Sequence, residues 1–70
     1  MQSQPQFKNY IKKHREQRGL NQDELATQLG LTRTYLSKME NQKFTPSAGL
    51  MIRVCQFFGT ELGEMFYIDA

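Results

Sequence analysis

Residues 19–41 read GLNQDELATQLGLTRTYLSKMEN, and this stretch decides the fold. Its apolar positions, Leu25, Ala26, Leu29, Leu31, Leu36 and Met39, recur at the spacing of two short amphipathic helices, over 22–29 and 33–41. Asn21 is placed to cap the first helix, and Glu24 at its third position completes a capping box. Thr32 is placed to cap the second. Gly30 ends the first helix where the backbone needs a positive φ, which glycine adopts without strain. Ala26 faces the point where the helices cross, and a small side chain there lets their backbones approach. Two helices joined so tightly form a helix-turn-helix.

Apolar residues at helical spacing would equally describe a plain helical hairpin. The outward residue types separate the two readings. Gln22 opens the first helix, and the outward face of the second carries Arg33, Thr34, Ser37 and Lys38. A packing hairpin has no need of a face made of cations and short hydroxyl or amide groups. Such groups reach phosphates and base edges when a helix lies in the major groove of DNA.

The stretch, taken with Arg15, Pro46-Ser47, Leu62 and Met65-Phe66, resembles the Cro/CI-type (XRE) helix-turn-helix family of bacterial and phage repressors. The shared residues within it are Gly19-Leu20-Asn21-Gln22, Glu24-Leu25-Ala26, Gly30, Leu36-Ser37-Lys38 and Glu40-Asn41, and the resemblance spans about 11–66. It implies an all-α domain, a compact bundle of five short helices of the lambda-repressor-like kind, with the motif at about 22–41. It also implies that the positions of Arg33, Thr34 and Lys38 reach bases, with Ser37 on the same face. Asn21, Asn41 and Lys43 match positions that contact backbone phosphates. Arg15 and Glu40 match an internal ion pair between the first and third helices.

The chemistry of these groups agrees with those roles. An arginine can bond the O6 and N7 of guanine with two N–H groups, and the Thr34 methyl can touch a thymine methyl. Gln22 sits at a helix N-terminus, whose free N–H groups and partial positive charge favour a phosphate. The hydroxyl of Tyr35 can add to the phosphate contacts. An ion pair between Arg15 and Glu40 would be bidentate and partly buried, fixing the third helix against the first.

The chain has 70 residues and therefore makes one domain near the lower limit for an unaided core. Residues 1–43 hold eight basic against four acidic side chains, net +4, whereas 44–70 hold one against three, net −2. Basic charge is thus concentrated where the second helix of the motif lies, as contact with phosphates favours. There is no run of about 18 apolar residues and no basic-then-apolar leader, so the reading is a cytoplasmic protein without a membrane span. One cysteine permits neither an internal disulfide nor a cysteine-based metal cluster. One His, one Cys and no carboxylate or glycine-rich phosphate constellation leave nothing to build an active site, so no enzyme, cofactor or small-molecule ligand is expected.

Outward from the motif, residues 1–6 are polar, contain Pro5, and read as a disordered arm. Phe7, Tyr10, Ile11 and His14 fall at helical spacing, which predicts a first helix over 7–18, stopped by Gly19. After a loop at 42–44, Thr45 reads as the cap and Pro46 as the first residue of a helix reaching Phe58. Its inward stripe is Ala48, Met51, Val54 or Ile52, Cys55 and Phe58. Gly49 inside that helix would be explained by close approach of another chain or of the first helix. A short last helix is expected at 61–66, capped by Thr60 or Glu61, and no strand is expected anywhere. His14 stands where the family usually has an apolar residue and reads as a packing residue, and Cys55 as a buried, unreactive thiol.

A single module reads few base pairs, so repressors of this type bind palindromic operators as symmetric dimers, with half-sites about 34 Å apart. Phe44, Leu50, Phe57, Tyr67 and Ile68 lie off the inferred core stripe and are the candidates for a homodimer interface. The expected partner is therefore double-stranded DNA, bound by a small stand-alone transcriptional repressor. The alternative is an antitoxin-like or co-regulator protein-interaction module. An acidic or apolar face on the second helix would favour that alternative.

Overall fold

The computed structural model describes residues 6–69, and side chains from Phe7 to Ile68. In chain order the elements are β1 (Gln6–Asn9), α1 (Ile11–Gln17), α2 (Gln22–Leu29), α3 (Arg33–Glu40), α4 (Ala48–Phe58), α5 (Leu62–Met65) and β2 (Phe66–Asp69). The five helices enclose one core, in which Ile11, Leu25, Leu36, Met39, Val54 and Met65 are fully buried.

The α2–α3 turn is built by local chemistry. Asn21 accepts the Glu24 N–H at 2.8 Å while the Glu24 carboxylate accepts the Asn21 N–H at 2.8 Å, a complete capping box. Gly30 adopts φ 70°, so the Leu31 N–H reaches back to the Ala26 carbonyl (2.8 Å) and the Gly30 N–H to Thr27 (3.2 Å). That is a Schellman stop, and it seats Leu31 against the core. The Arg53 guanidinium donates to the Leu29 carbonyl, and an added Cβ at residue 30 would meet that group at 3.3 Å. Thr32 then accepts the Tyr35 N–H at 3.1 Å and starts α3.

The first helix is shorter than its periodicity predicts, and no strand was expected where one forms. Residues 6–9 pair antiparallel with 66–69, with Phe7 opposite Ile68, Lys8 opposite Tyr67 and Asn9 opposite Phe66. Gln6, expected in the arm, is part of β1, and residues 1–5 lie outside the described residues. The competing interactions are visible. The Phe7 N–H donates to Thr45 Oγ1 (3.1 Å), and Asn9 accepts the Ile11 N–H on its own Oδ1 (3.1 Å). Asn9 therefore closes the strand and opens α1, leaving Tyr10 exposed. Strands of four residues are too short for alternation to register, and their partners stand at opposite ends of the chain.

The fourth helix is also reframed. Ser47, not Thr45, is its cap, accepting the Leu50 N–H at 3.2 Å, and Pro46 is buried ahead of the helix. Thr45 is committed to Phe7 instead. The inward stripe is therefore Leu50, Met51, Val54, Cys55 and Phe58, with Ala48 and Ile52 exposed. Leu50 is core rather than a free apolar residue, and Phe44 and Phe57 are half-buried against that core. The last helix is Leu62–Met65 with Glu61 at its cap, and Phe66 already belongs to β2.

Gly49 is the second residue of α4, and nothing lies within 4 Å of a Cβ added there. No close approach within the described chain requires glycine. Replacing Gly49 with Ala should stabilise the domain by about 0.5–1 kcal/mol, because alanine has less backbone freedom to lose on folding. A thermal melt should show Tm rising by about 3–8 °C; no rise, or a fall, would mean that the glycine carries a constraint the monomer does not show.

Candidate nucleic-acid interface

Helix α3 is amphipathic over its eight residues, and its two faces do different work. Leu36, Met39 and Glu40 are buried, while Arg33, Thr34 and Lys38 are exposed and Ser37 is half-buried. So short a helix is unstable in isolation, and its orientation must come from what it packs against.

The main anchor is a charged one. Glu40 carries 1% of its possible side-chain exposure and Arg15, on α1, carries 10%. Arg15 donates from Nε to Glu40 Oε2 at 2.7 Å and from its Nη2 to Oε1 at 3.1 Å, a bidentate pair. Its remaining terminal nitrogen donates to the Leu20 carbonyl at 2.9 Å, which ties down the entry to α2. Hydrogen bonding to the Glu40 carboxylate raises the Arg15 pKa above its already high ordinary value, and burial opposes this only in part. Stability gained from a raised cationic pKa is present below the unfolded value and lost only as pH rises through the folded one. Arg15 therefore stays charged across the neutral range.

Gln22 extends this anchor to the surface. Its amide Nε2 donates to Glu40 Oε1 at 3.0 Å, and its Oε1 accepts from Arg33 Nε at 3.4 Å. The side chain thus bridges the buried pair to the first residue of α3. Together Gln22, Arg33, Thr34, Ser37 and Lys38 line one concavity of about 390 Å³.

The other sequence-predicted contacts fall around this concavity rather than in it. Asn21 caps α2 and is exposed beside Gln22. Asn41 ends α3 and Lys43 follows, both exposed, with the Lys43 N–H returning to the Lys38 carbonyl at 3.0 Å. Tyr35 points elsewhere. Its ring packs on Phe44 with centroids 4.9 Å apart, and it lines a second, open groove toward α4, of about 580 Å³, with Leu31 and Arg53.

Sequence reasoning missed Asn9 and Gln42, which fix the C-terminal end of α3 beside Glu40. Asn9 donates from Nδ2 to the Met39 carbonyl at 3.0 Å. Gln42, at φ 62°, accepts the Asn9 N–H and returns its own amide to the Asn9 carbonyl, both at 3.1 Å. A glutamine mimicking a strand neighbour leaves no pattern in a sequence. The non-glycine positive φ is visible only in the fold.

The Helix-turn-helix family model matches residues 11–65. The chain belongs to the Cro/CI-type helix-turn-helix family. It carries the helix-turn-helix DNA-binding domain of a transcriptional regulator. It is 34% identical over 63 residues to an uncharacterised HTH-type transcriptional regulator of Methanocaldococcus jannaschii, covering 90% of this chain and 96% of that one. It is 38% identical over 55 residues to the ImmF control region 10 kDa protein of Bacillus phage phi105, covering 79% and 61% respectively. A crystal structure of a candidate DNA-binding protein from Bacteroides fragilis shares the fold, with TM-score 0.77 at 20% identity, over 87% of this chain and 98% of that one.

Removing one member of the buried pair should be far more damaging than removing both. Glu40→Ala would leave Arg15 and the Gln22 amide without their acceptor and should destabilise the domain by about 3–5 kcal/mol. The double variant Arg15→Met with Glu40→Leu should recover most of that loss, since apolar pairs of similar size replace buried ion pairs well. Chemical denaturation followed by circular dichroism measures both; a Glu40→Ala loss below about 1 kcal/mol would show that the pair is a surface-grade one.

Proposed function

We propose that this protein is a sequence-specific double-stranded DNA-binding repressor that acts as a homodimer on a palindromic operator, with α3 in the major groove. The observation that carries the reading is the concavity that Gln22 of α2 shares with Arg33, Thr34, Ser37 and Lys38 of α3, a helix whose opposite face is locked into the core. Every one of these side chains is a hydrogen-bond donor, and none is acidic. Such a face fits a DNA groove and is a poor match for an apolar or basic protein surface.

Within it Arg33 is the strongest candidate for base reading. Gln22 accepts from its Nε, which leaves the two terminal nitrogens to bond guanine O6 and N7. Thr34, Ser37 and Lys38 read neighbouring positions. Gln22 at the edge of the concavity and Asn21, Asn41 and Lys43 around it hold the register through phosphates, and Tyr35 contributes a hydroxyl only if its ring leaves Phe44. Binding in the cytoplasm, at the nucleoid, and repression by occluding polymerase complete the reading.

Selection from a random duplex library at about 150 mM salt tests it, since that salt suppresses purely electrostatic binding. A palindrome with half-sites about one helical turn apart is expected. On the enriched duplex, Arg33→Ala should lose about 1–3 kcal/mol of discrimination at one guanine. Lys43→Ala should weaken all sequences alike. No enrichment, with only weak salt-sensitive binding, would overturn the proposal in favour of a protein-interaction module.

A further inference from the structure

The two edges of the β1–β2 sheet are treated differently by the fold. The outer edge of β1 is closed by side chains from the loop after α3. Thr45 Oγ1 takes the Phe7 N–H at 3.1 Å, and the Gln42 amide takes both the N–H and the carbonyl of Asn9, at 3.1 Å each. Backbone groups alternate in direction along a strand. With Phe7 and Asn9 facing outward, Lys8 must face β2, where its register partner is Tyr67. Tyr67 therefore faces β1, and Phe66 and Ile68 turn their backbone groups to the other side. The Phe66 N–H is taken by the Leu62 carbonyl. Among the described residues this leaves the carbonyl of Phe66 and the N–H and carbonyl of Ile68 on an open edge.

The side chains nearby are also unusual for a surface. Among the described residues six large apolar or aromatic side chains remain exposed, and four of them, Tyr10, Leu62, Tyr67 and Ile68, belong to the sheet or the residues leading into it. Tyr10 stacks on Tyr67 with centroids 4.8 Å apart, which stiffens that face. Ile68 is 56% exposed at the middle of the open edge. Natural proteins guard a free edge with Lys, Pro or a bulge, and residues 66–68 of β2 carry none of these.

We infer that the open edge of β2 is the homodimer interface, filled by the same strand of a second copy. This rests on the dimeric reading above and specifies its surface. An antiparallel pair centred on Ile68 is self-complementary. The Ile68 N–H of each copy bonds the Ile68 carbonyl of the other, Tyr67 stands opposite Asp69 of the second copy, and the order β1-β2-β2-β1 leaves no open edge. Identical strands meeting at a two-fold axis close the assembly, as an isologous contact does. Phe44, Leu50 and Phe57 take no part, being packed on the core of their own chain.

Ile68→Lys and Ile68→Glu test the register directly, because the axis would set each new charge against its own copy. Wild type should sediment as a dimer at tens of micromolar. Each variant alone should dissociate with a constant at least about tenfold higher, because like charges directly opposite oppose strand pairing. Mixed in equal amounts, the two variants should recover a dimer. Far-UV circular dichroism should show every sample folded, since the side chain is largely exposed. A monomeric wild type would overturn the dimeric reading and this interface together. A dimeric wild type with equally dimeric variants, or variants that stay apart when mixed, would overturn the interface and leave the dimeric reading standing.

Discussion

The orientation of α3 depends on one buried carboxylate. Glu40 receives three hydrogen bonds, two from Arg15 and one from Gln22, and those donors stand on α1 and at the first turn of α2. The Leu20 carbonyl completes the set through the third nitrogen of Arg15. A single anionic group therefore fixes three helices relative to one another. A hydrophobic contact could supply similar stability, but it has no direction. The fork geometry of arginine on a carboxylate does have direction.

The same network runs outward to the surface. Gln22 joins the buried pair to Arg33, so the residue proposed to read DNA is positioned by the group that ties the helices together. At the other end of α3, Asn9 and Gln42 tie the helix to β1. Helix α3 is thus held at its first turn by Gln22 of α2 and at its last by Arg15 of α1 and by Asn9 of the sheet. If the sheet also joins two copies, the distance between two reading helices is set by backbone hydrogen bonds rather than by loops. That would suit a protein whose half-sites must fall on one helical turn.

Much of this was legible in the residues, because the motif depends on local rules. The Asn21–Glu24 capping box, the Thr32 cap and the left-handed Gly30 each involve residues a few positions apart, and all three stand in the structure. The outward face of α3 followed from a period of 3.6 and from side-chain chemistry. What was not legible depended on distant partners. Thr45 looks like a helix cap in sequence, yet it serves Phe7, and the cap passes to Ser47. That shift of the starting point brought Leu50 into the core and turned Ala48 out. Phe7 and Tyr10 suggested a longer first helix, because nothing near them in the chain announces that residues 66–69 will pair with β1.

The proposed DNA-binding face is the one that the Arg15–Glu40 pair holds in place. Backbone amide shifts of the labelled protein, followed while a mixed-sequence duplex of about 20 base pairs is added at about 50 mM salt, test it most directly, since even non-specific binding uses the phosphate-contacting face. The large shifts should gather on Asn21, Gln22, on α3 from Arg33 to Lys38, and on Asn41 and Lys43. Shifts concentrated instead on α4 and the groove lined by Tyr35 and Arg53, with α3 unmoved, would contradict it.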